Sequence, residues 1–244
     1  MPDFSIRSTT LEIMDDLNCS GEVVHQTLRE LELINTWLGG NNVTLNALNK
    51  LLEDHDRSKG IVIADLGCGG GDMLKLIDRW AAQQHFKVHL IGIDANPHII
   101  RFAKKNLEDV PHIDLRTMDI FSEPFRSMQF DIVIGTLFYH HFSEQQLTTF
   151  FGKLKDQVSI GMVINDIHRH PLAYFSIKFL TALFSRSSMV RFDAPLSVLR
   201  AFKKEEIVRV LREASLPDFS IQWKWAFRWQ VVIPVSTHRT PVYP

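Results

Sequence analysis

The stretch "GIVIADLGCGGGD", residues 60–72, decides the fold of this 244-residue chain. Its first seven residues are mostly apolar, which is typical of a strand buried on both faces of a parallel sheet. Four of the next five residues are glycines. Glycine lets a backbone turn sharply and approach another molecule closely. The stretch therefore predicts a strand, a tight turn that contacts a ligand, and then a helix.

Strand-like and helix-like segments alternate on both sides of this stretch. Such alternation predicts an α/β fold with a doubly wound, mostly parallel Rossmann-like sheet and helices on both faces. Ser20, Asn96 and Ser143 are the expected helix N-caps, and "GGNN" at 39–42 is expected to end the first helix. The predicted strands are 60–66, 87–94, 113–119, 130–136, 161–167, 219–227 and 228–235, and the predicted helices are 20–38, 44–54, 72–85, 97 onward, 143–158 and 203–215.

Composition and charge narrow the function classes. The 27 basic and 28 acidic residues leave a net charge of −1, without the basic excess of a nucleic-acid partner, so no nucleic acid is expected. No apolar run is long enough for an integral membrane span, and the first residues lack a signal-peptide pattern. Two cysteines, Cys19 and Cys68, build no disulfide framework. We therefore expect a cytoplasmic protein, either a monomer or a homodimer.

Carboxylates flank the glycines and recur at later strand ends. Asp72 occupies the slot of the third glycine in the dinucleotide fingerprint, and it would repel a pyrophosphate together with Asp65. This pattern disfavours an NAD-dependent dehydrogenase and favours a ligand with cationic groups, such as S-adenosylmethionine. Asp94 ends the second strand, where a carboxylate accepts hydrogen bonds from ribose hydroxyls. Asp119 ends the third strand, within reach of an adenine amino group.

Four motifs in order resemble the class I S-adenosylmethionine-dependent methyltransferases, whose sheet has seven strands. They are "VIADLGCGGGD", "IGIDANPHIIRFAKKN", "TMDIF" and "FDIVIGTLFYHHF", within residues 59–167. The nearest subgroup is the small-molecule branch with quinone and natural-product methyltransferases. The resemblance implies that Asp65, Gly67 and Gly69 line the methionine end, that Asp94 holds the ribose, and that Asp119 and Ile120 flank the adenine. The full expected cofactor-binding set is Asp65, Gly67, Cys68, Gly69, Asp94, Ala95, Asp119, Ile120 and Thr136.

Two pairs of histidines are candidates for a general base. His140 and His141 follow the fourth strand, and a histidine there has a suitable ordinary pKa, although one of the two could simply pack beneath the site. His168 is a weaker candidate, with Asp166 as the carboxylate that could orient it or His170. These last three residues could also bind a metal, but no fourth ligand is evident, so no metal is predicted.

The rest of the chain is expected to select the acceptor. We divide it into an N-terminal helical cap (1–55), a cofactor-binding core (56–167), a lid insertion (168–200) and a C-terminal helix and hairpin that complete the sheet (201–244). The cap and the lid are predicted to close over the methyl group. The apolar stretch 172–184 is expected to line the substrate pocket, with core packing and membrane-surface contact as alternatives. The expected pocket residues are Tyr139, Tyr174, Phe175 and Phe179.

These observations predict an enzyme that methylates a small, apolar molecule. O-methylation of a hydroxylated aromatic or polyketide-like acceptor is favoured, and C-methylation of a quinone precursor is the alternative. A non-catalytic module that binds S-adenosylmethionine is the alternative from another class. An RNA methyltransferase is disfavoured by the charge and by "GTLF" after the fourth strand, where such enzymes carry an N/D-P-P-Y/F tetrapeptide.

Overall fold

A seven-stranded, mostly parallel sheet forms the centre of the protein. The structure, a computed structural model, describes residues 2–235. Met1 of the predicted cap and residues 236–244 of the predicted C-terminal segment lie outside the described residues. The strands are β1 (Gly60–Leu66), β2 (Lys87–Asp94), β3 (Asp114–Thr117), β4 (Phe130–Thr136), β5 (Val158–Ile167), β6 (Ser220–Lys224) and β7 (Arg228–Pro234). Their order across the sheet is β3-β2-β1-β4-β5-β7-β6.

The strand order identifies the edge of the sheet at which a ligand is expected to bind. Strands β1 to β5 pair in parallel, while β7 is antiparallel to both β5 and β6. The chain runs outward from β1 to β3 and then crosses back to β4 on the other side. Ligands of doubly wound sheets bind at such a switch point, beyond the carboxyl ends of the strands. The predicted fold class is confirmed.

Helices cover both faces of the sheet. They are α1 (Glu22–Trp37), α2 (Gly40–Leu51), α3 (Asp72–Gln84), α4 (Pro97–Asn106), α5 (Glu123–Arg126), α6 (Glu144–Leu154), α7 (Pro171–Phe184), α8 (Ser188–Arg200) and α9 (Lys204–Glu213). One face packs against α2 and α3 through Leu48, Leu74 and Ile77. The other packs against α6 and α9 through Phe151 and Leu211. Both layers bury apolar side chains, which is the main stabilising contribution to such a fold.

Several predicted helix boundaries are wrong. The N-cap of α1 is Gly21, with a φ of 84°, rather than Ser20. The first helix ends before "GGNN", as predicted, but the second helix begins at Gly40 rather than at residue 44, directly after Gly39 in the left-handed conformation. The predicted helix 143–158 ends at Leu154, and β5 begins at Val158. The Asn96 and Ser143 caps are confirmed, and Ser143 forms a capping box with Gln146.

The segments outside the core pack together over the carboxyl edge of the sheet. Residues Ile13–Asp15 form a single 3-10 turn that contacts α8, and α1 also packs against α8. The backbone amides of Ile13 and Met14 donate to the Asp193 carboxylate at 2.8 and 3.1 Å. Within residues 2–235, no helix combines the length and apolar character that crossing a bilayer requires.

Candidate active site

A cavity of about 880 Å³ opens at the carboxyl edge of the parallel strands. This volume lies within the range of small-molecule and cofactor sites. One wall consists of the turns after β1, β2 and β3, and the other comes from the turn after β4 together with α1, α7, α8 and the Ile13–Asp15 turn. The cavity therefore joins the glycine-rich stretch to the segments that pack over it.

The glycines of the first turn bring the backbone close to its neighbours. Gly67 has a φ of 65°, and its amide donates to the Ile93 carbonyl at 2.8 Å. A Cβ at Gly67 would lie 2.1 Å from the Phe138 ring, so no other residue fits without rearrangement. Gly67 and Gly69 both line the cavity. Cys68 lines it as well, but burial raises the pKa of its thiol well above the usual value, which leaves it unreactive.

Asp65 is a buried carboxylate that lacks a partner. It is 2% exposed, and its Oδ1 makes no hydrogen bond among the residues the structure describes. Burial raises the pKa of Asp65 to about 8, and the nearby charges of Asp94 and Asp72 add to the effect. An unpaired buried carboxyl of this kind is suited to a ligand that brings a positive charge. The methionine end of S-adenosylmethionine, with its amino and sulfonium groups, fits this site.

Asp94 and Asp119 lie along the same wall, farther from Asp65 across the sheet. The Asp94 carboxylate accepts from the backbone amides of Asn96 at 2.9 Å and Gly69 at 3.3 Å. Asp119 lies two residues beyond β3 rather than within it, and it accepts from the Phe121 amide at 2.9 Å. The remaining predicted cofactor residues, Ala95, Ile120 and Thr136, also line the cavity.

His140 forms a buried pair with Asp166. It lies in the 3-10 turn Tyr139–His141 and is 2% exposed. Its Nδ1 is 2.7 Å from Asp166 Oδ1, and its backbone amide donates to Asp166 Oδ2 at 3.0 Å. Although burial alone would raise the pKa of Asp166, the charge and hydrogen bond of His140 hold it below the usual value. The prediction that Asp166 orients His168 or His170 is wrong, because the Asp166 carboxylate bonds to His140.

Glu12 and His141 lie beside this pair. Glu12 Oε1 is 3.6 Å from His140 Nε2, and neither atom has a hydrogen-bond partner among residues 2–235. Burial raises the pKa of Glu12 to about 7, despite the opposing charges of His141 and Arg200. His141 Nδ1 is 2.6 Å from Asp15 Oδ1, and Arg200 makes a short ion pair with the same carboxylate. The cavity thus contains two carboxylate–histidine pairs side by side.

Glu12, His140 and His141 could in principle hold a metal ion. One ligand atom from each lies within 4.8 Å of the others. In both histidines Nδ1 contacts a carboxylate, as in many metal sites. Arg200, however, holds its guanidinium 3.7 Å from Glu12 Oε1, so a divalent cation would meet a fixed positive charge. The cluster is therefore better suited to proton transfer than to metal binding.

Several predicted site residues lie away from the cavity. His168 forms a bridge with Phe202 and packs against Trp229, 4.7 Å between ring centroids. Tyr139 is 1% exposed and packs in the core against Phe151, because the backbone of its turn points only the histidines toward the cavity. On α7, Tyr174, Phe175 and Phe179 are outside the cavity lining, and Phe175 and Phe179 are more than half exposed. The face of α7 that lines the cavity carries Ala173, Ser176, Ile177 and Leu180.

Sequence reasoning missed Glu12, Asp15, Arg200 and Arg228. The first two belong to "LEIMDD", and no local pattern separates them from ordinary surface acids. Arg200 is 185 residues from its partner Asp15. The available signal was weak: an Arg at the end of an apolar helix segment and an Arg that begins an apolar strand are both candidates for buried charge.

Known proteins resemble both the core and the whole fold. A family model described as a methyltransferase domain matches residues 63–161. Curated relatives include the "Probable tRNA methyltransferase 9B" proteins of Bos taurus and Homo sapiens, each 30% identical over 91 residues, which is 37% of this chain and 17% of the relative. The chain thus matches less than a fifth of the length of these relatives.

Solved structures share the fold across most of the chain. Human N-acetylserotonin methyltransferase in complex with SAM has 17% identity and a TM-score of 0.64, over 96% of this chain and 61% of that chain. The plantazolicin methyltransferase BpumL, in complex with a triazolic desmethylPZN analogue and SAH, has 15% identity and a TM-score of 0.64, over 87% and 91%. At these identities the likeness shows the fold alone. The family match thus identifies a methyltransferase domain within residues 63–161, and the whole chain shares the fold of enzymes whose structures were solved with SAM or SAH bound.

Proposed function

We propose that the protein transfers a methyl group from S-adenosylmethionine to a hydroxyl of a small aromatic or polyketide-like acceptor. The observation that carries this proposal is the Asp166–His140 pair, whose unpartnered Nε2 belongs to a cavity-lining residue. A hydroxyl acceptor must lose a proton as it attacks, so a positioned base accelerates the reaction. The substrate side of the cavity is also largely apolar, as an aromatic acceptor requires.

Three carboxylates would hold the cofactor along one wall. Asp65 faces the amino and sulfonium groups, Asp94 accepts hydrogen bonds from the ribose hydroxyls, and Asp119 with Ile120 contacts the adenine. These residues lie at or just beyond the ends of three strands that are neighbours in the order β3-β2-β1. They therefore span the cavity in the sequence adenine, ribose, methionine. When bound, S-adenosylmethionine supplies a methyl group on an activated sulfonium, so the protein's task is positioning and proton removal.

His140 is the proposed base. The Asp166 carboxylate accepts a hydrogen bond from Nδ1–H, which keeps the proton on Nδ1 and leaves Nε2 as the acceptor atom of the neutral imidazole. Nε2 takes the proton of the acceptor hydroxyl while the oxygen attacks the methyl carbon and the sulfur–carbon bond breaks, with its electron pair returning to sulfur. Glu12 Oε1, 3.6 Å away with a pKa raised to about 7 by burial, can then receive that proton near neutral pH.

The cap and lid would keep water out of this reaction. Leu11, Met14, Ile177 and Val198 line the wall opposite the glycines. A displacement reaction gains from a dry site, because water no longer competes for the methyl group or weakens the electrostatics. C-methylation needs the same base to remove a ring proton, so the geometry also permits a quinone precursor.

Incubation of the protein with methyl-labelled S-adenosylmethionine and a panel of phenols, quinols and amines tests the proposal. We expect label in phenolic or quinolic products, and fragmentation by mass spectrometry distinguishes O-methyl from C-methyl products. Label only in amines would contradict the proposed acceptor class. Tight S-adenosylhomocysteine binding without turnover of any acceptor would instead favour a non-catalytic binding module.

A further inference from the structure

Arg228 is a buried cation that the proposed mechanism does not use. It begins β7, is 4% exposed and lines the cavity. Its Nη2 donates to Asn35 Oδ1 at 2.6 Å, whereas its Nη1, which carries two N–H groups, has no partner among the described residues. Burial lowers the pKa of Arg228 to about 10, so the side chain is still charged at neutral pH. A buried charge without a counter-ion is costly, unless a ligand supplies one.

No described carboxylate neutralises this guanidinium. Asp166 acts on the Arg228 charge from a distance, but its two oxygens already bond to His140 and to backbone amides. The start of α2 adds positive rather than negative potential at the guanidinium. A Cβ at Gly40, the first residue of α2, would lie 3.2 Å from Nη2, so the guanidinium rests on the positive end of that helix.

The residues around Arg228 would suit an aromatic acid as a ligand. Trp225 and Phe227 precede it in the β6–β7 turn and also line the cavity, as do Asn35, which accepts a hydrogen bond from Arg228, and Asn41. An Arg and a helix start attract an anion, while the aromatic rings provide an apolar surface for a planar body.

The position of Arg228 points to the acceptor rather than the cofactor. Strands β4 and β5 lie between β1 and β7. At a spacing of about 4.8 Å per strand, β7 is about 14 Å from β1, which carries the Asp65 site for the methionine end. Asp166 on β5 and His140, in the turn after β4, lie between the two. A carboxylate on the acceptor can therefore reach Arg228 while its hydroxyl meets His140.

We propose that Arg228, with the start of α2, binds a carboxylate of the methyl acceptor, so that the substrate class is a hydroxylated aromatic or polyketide-like acid. This inference rests on the proposed function, because it assumes an acceptor in the same cavity. The guanidinium then serves as a specificity-determining group that orients the acceptor and selects acids over their neutral analogues.

The test compares 3,4-dihydroxybenzoate with 3,4-dihydroxybenzamide, which differ in charge and little in shape. Binding of each to the protein saturated with S-adenosylhomocysteine is measured by calorimetry, for the wild type, Arg228→Met and the matched control Arg209→Met. Arg209 is an exposed arginine that pairs with Glu144 on the outer surface. We expect the wild type and Arg209→Met to bind the acid at least tenfold more tightly than the amide. Arg228→Met should bind both equally, with S-adenosylhomocysteine affinity within twofold of the wild type.

Each contrary result has a distinct meaning. Equal binding of acid and amide by the wild type overturns the inference, and this comparison stands even if Arg228→Met fails to fold. Loss of S-adenosylhomocysteine affinity in Arg228→Met also overturns it, because the anion at Arg228 is then the cofactor's own carboxylate. Arg228-dependent acid binding without methylation of any phenol supports the inference and contradicts the proposed reaction. Methylation of neutral phenols without preference for acids contradicts the inference and supports the proposed reaction.

Discussion

The two walls of the cavity are built in different ways. The cofactor wall comes from short turns directly after β1, β2 and β3, and each functional carboxylate lies within a few residues of a strand end. The acceptor wall brings together residues that are far apart in the chain, including Glu12, His140 and Arg228. The first wall follows from the parallel sheet itself. The second depends on how the cap, α7 and α8 dock on that sheet.

The two walls also differ in how their charges are satisfied. Within the part of the chain that the structure describes, Asp65 on the cofactor wall has no hydrogen-bond partner for Oδ1, and burial raises its pKa. On the acceptor wall, His140 is paired with Asp166, and Asp15 is paired with both His141 and Arg200. Binding of a cationic ligand should therefore stabilise the cofactor wall. The proposed base His140, in contrast, is already oriented by Asp166 in the empty protein. Five predictions test this difference, from the largest expected effect to the smallest.

Replacement of the proposed base should have the largest effect. His140→Asn removes the Nε2 acceptor, and we expect kcat to fall by about 10²- to 10⁴-fold, the usual contribution of a general base. S-adenosylhomocysteine affinity should change by less than about twofold, because His140 belongs to the acceptor wall. His168→Asn, outside the cavity, is the control and should retain kcat. Equal losses in the two variants, measured by single-turnover kinetics, would contradict the assignment.

On the cofactor wall, the largest effect is expected at Asp94. Asp94→Ala should weaken cofactor binding by about 1.5–3 kcal/mol, the range for hydrogen bonds to a charged group. This corresponds to roughly a 10- to 150-fold increase in Kd. Calorimetry with S-adenosylhomocysteine measures it, and Asp114→Ala on β3, whose partner is the surface residue Arg116, is the control. An unchanged Kd in a folded Asp94→Ala variant would show that the ribose binds elsewhere.

Asp65→Asn should stabilise the empty protein while it weakens cofactor binding. The folded-state pKa of about 8 lies above the ordinary value of 3.8, so the folded protein binds this proton more tightly than the unfolded chain does. Asp65 therefore lowers stability increasingly as pH rises from 4 to 8, and the effect levels off above 8. We expect a gain of about 2 kcal/mol for the amide at pH 9, and a smaller gain at pH 6.

Chemical denaturation of both proteins at the two pH values measures this difference. Subtraction of wild type from variant at each pH removes the contribution of other titrating groups. A variant that is less stable than the wild type at pH 9 would show that Asp65 has a partner in the folded state. A gain that does not depend on pH would contradict the raised pKa.

The two faces of α7 should respond differently. Ile177→Ala, on the face that lines the cavity, should raise the KM for the acceptor by about fivefold, because roughly 1 kcal/mol of apolar contact is lost. Phe179 is 67% exposed. Phe179→Ala should therefore change the free energy of acceptor binding and the free energy of unfolding by less than about 0.5 kcal/mol. A larger effect at Phe179 than at Ile177 would mean that the exposed face of α7 contacts the acceptor.

Metal removal is expected to have the smallest effect. The Arg200 guanidinium beside Glu12 opposes a divalent cation at the Glu12–His140–His141 cluster. Dialysis against EDTA should therefore leave methyl transfer within about twofold of its starting rate. Loss of activity after dialysis, with recovery on addition of Zn²⁺ or Mn²⁺ but not of Ca²⁺, would show that the histidines are metal ligands.

Much of the cofactor wall was predictable from local sequence. A glycine-rich turn after a buried strand indicates that a ligand approaches the backbone closely. The parallel strands bring Asp65, Asp94 and the Asp119 loop to one edge of the sheet. The faces of α7 were not predictable. This helix is apolar nearly all round, so its periodicity does not show which side is buried, and Phe175 and Phe179 were assigned to the wrong side.

The amino-acid sequence by itself determined the sheet, the glycine turn and the row of carboxylates, because these depend on hydrophobic periodicity and on residues adjacent in the chain. Only the tertiary structure decided that Asp166 orients His140, that Glu12 faces the same imidazole, and that Arg228 has no counter-ion among residues 2–235. Those relations join positions between 26 and almost 200 residues apart. They arise from the docking of whole segments, and no spacing rule within the chain encodes a contact that two separately folded surfaces create.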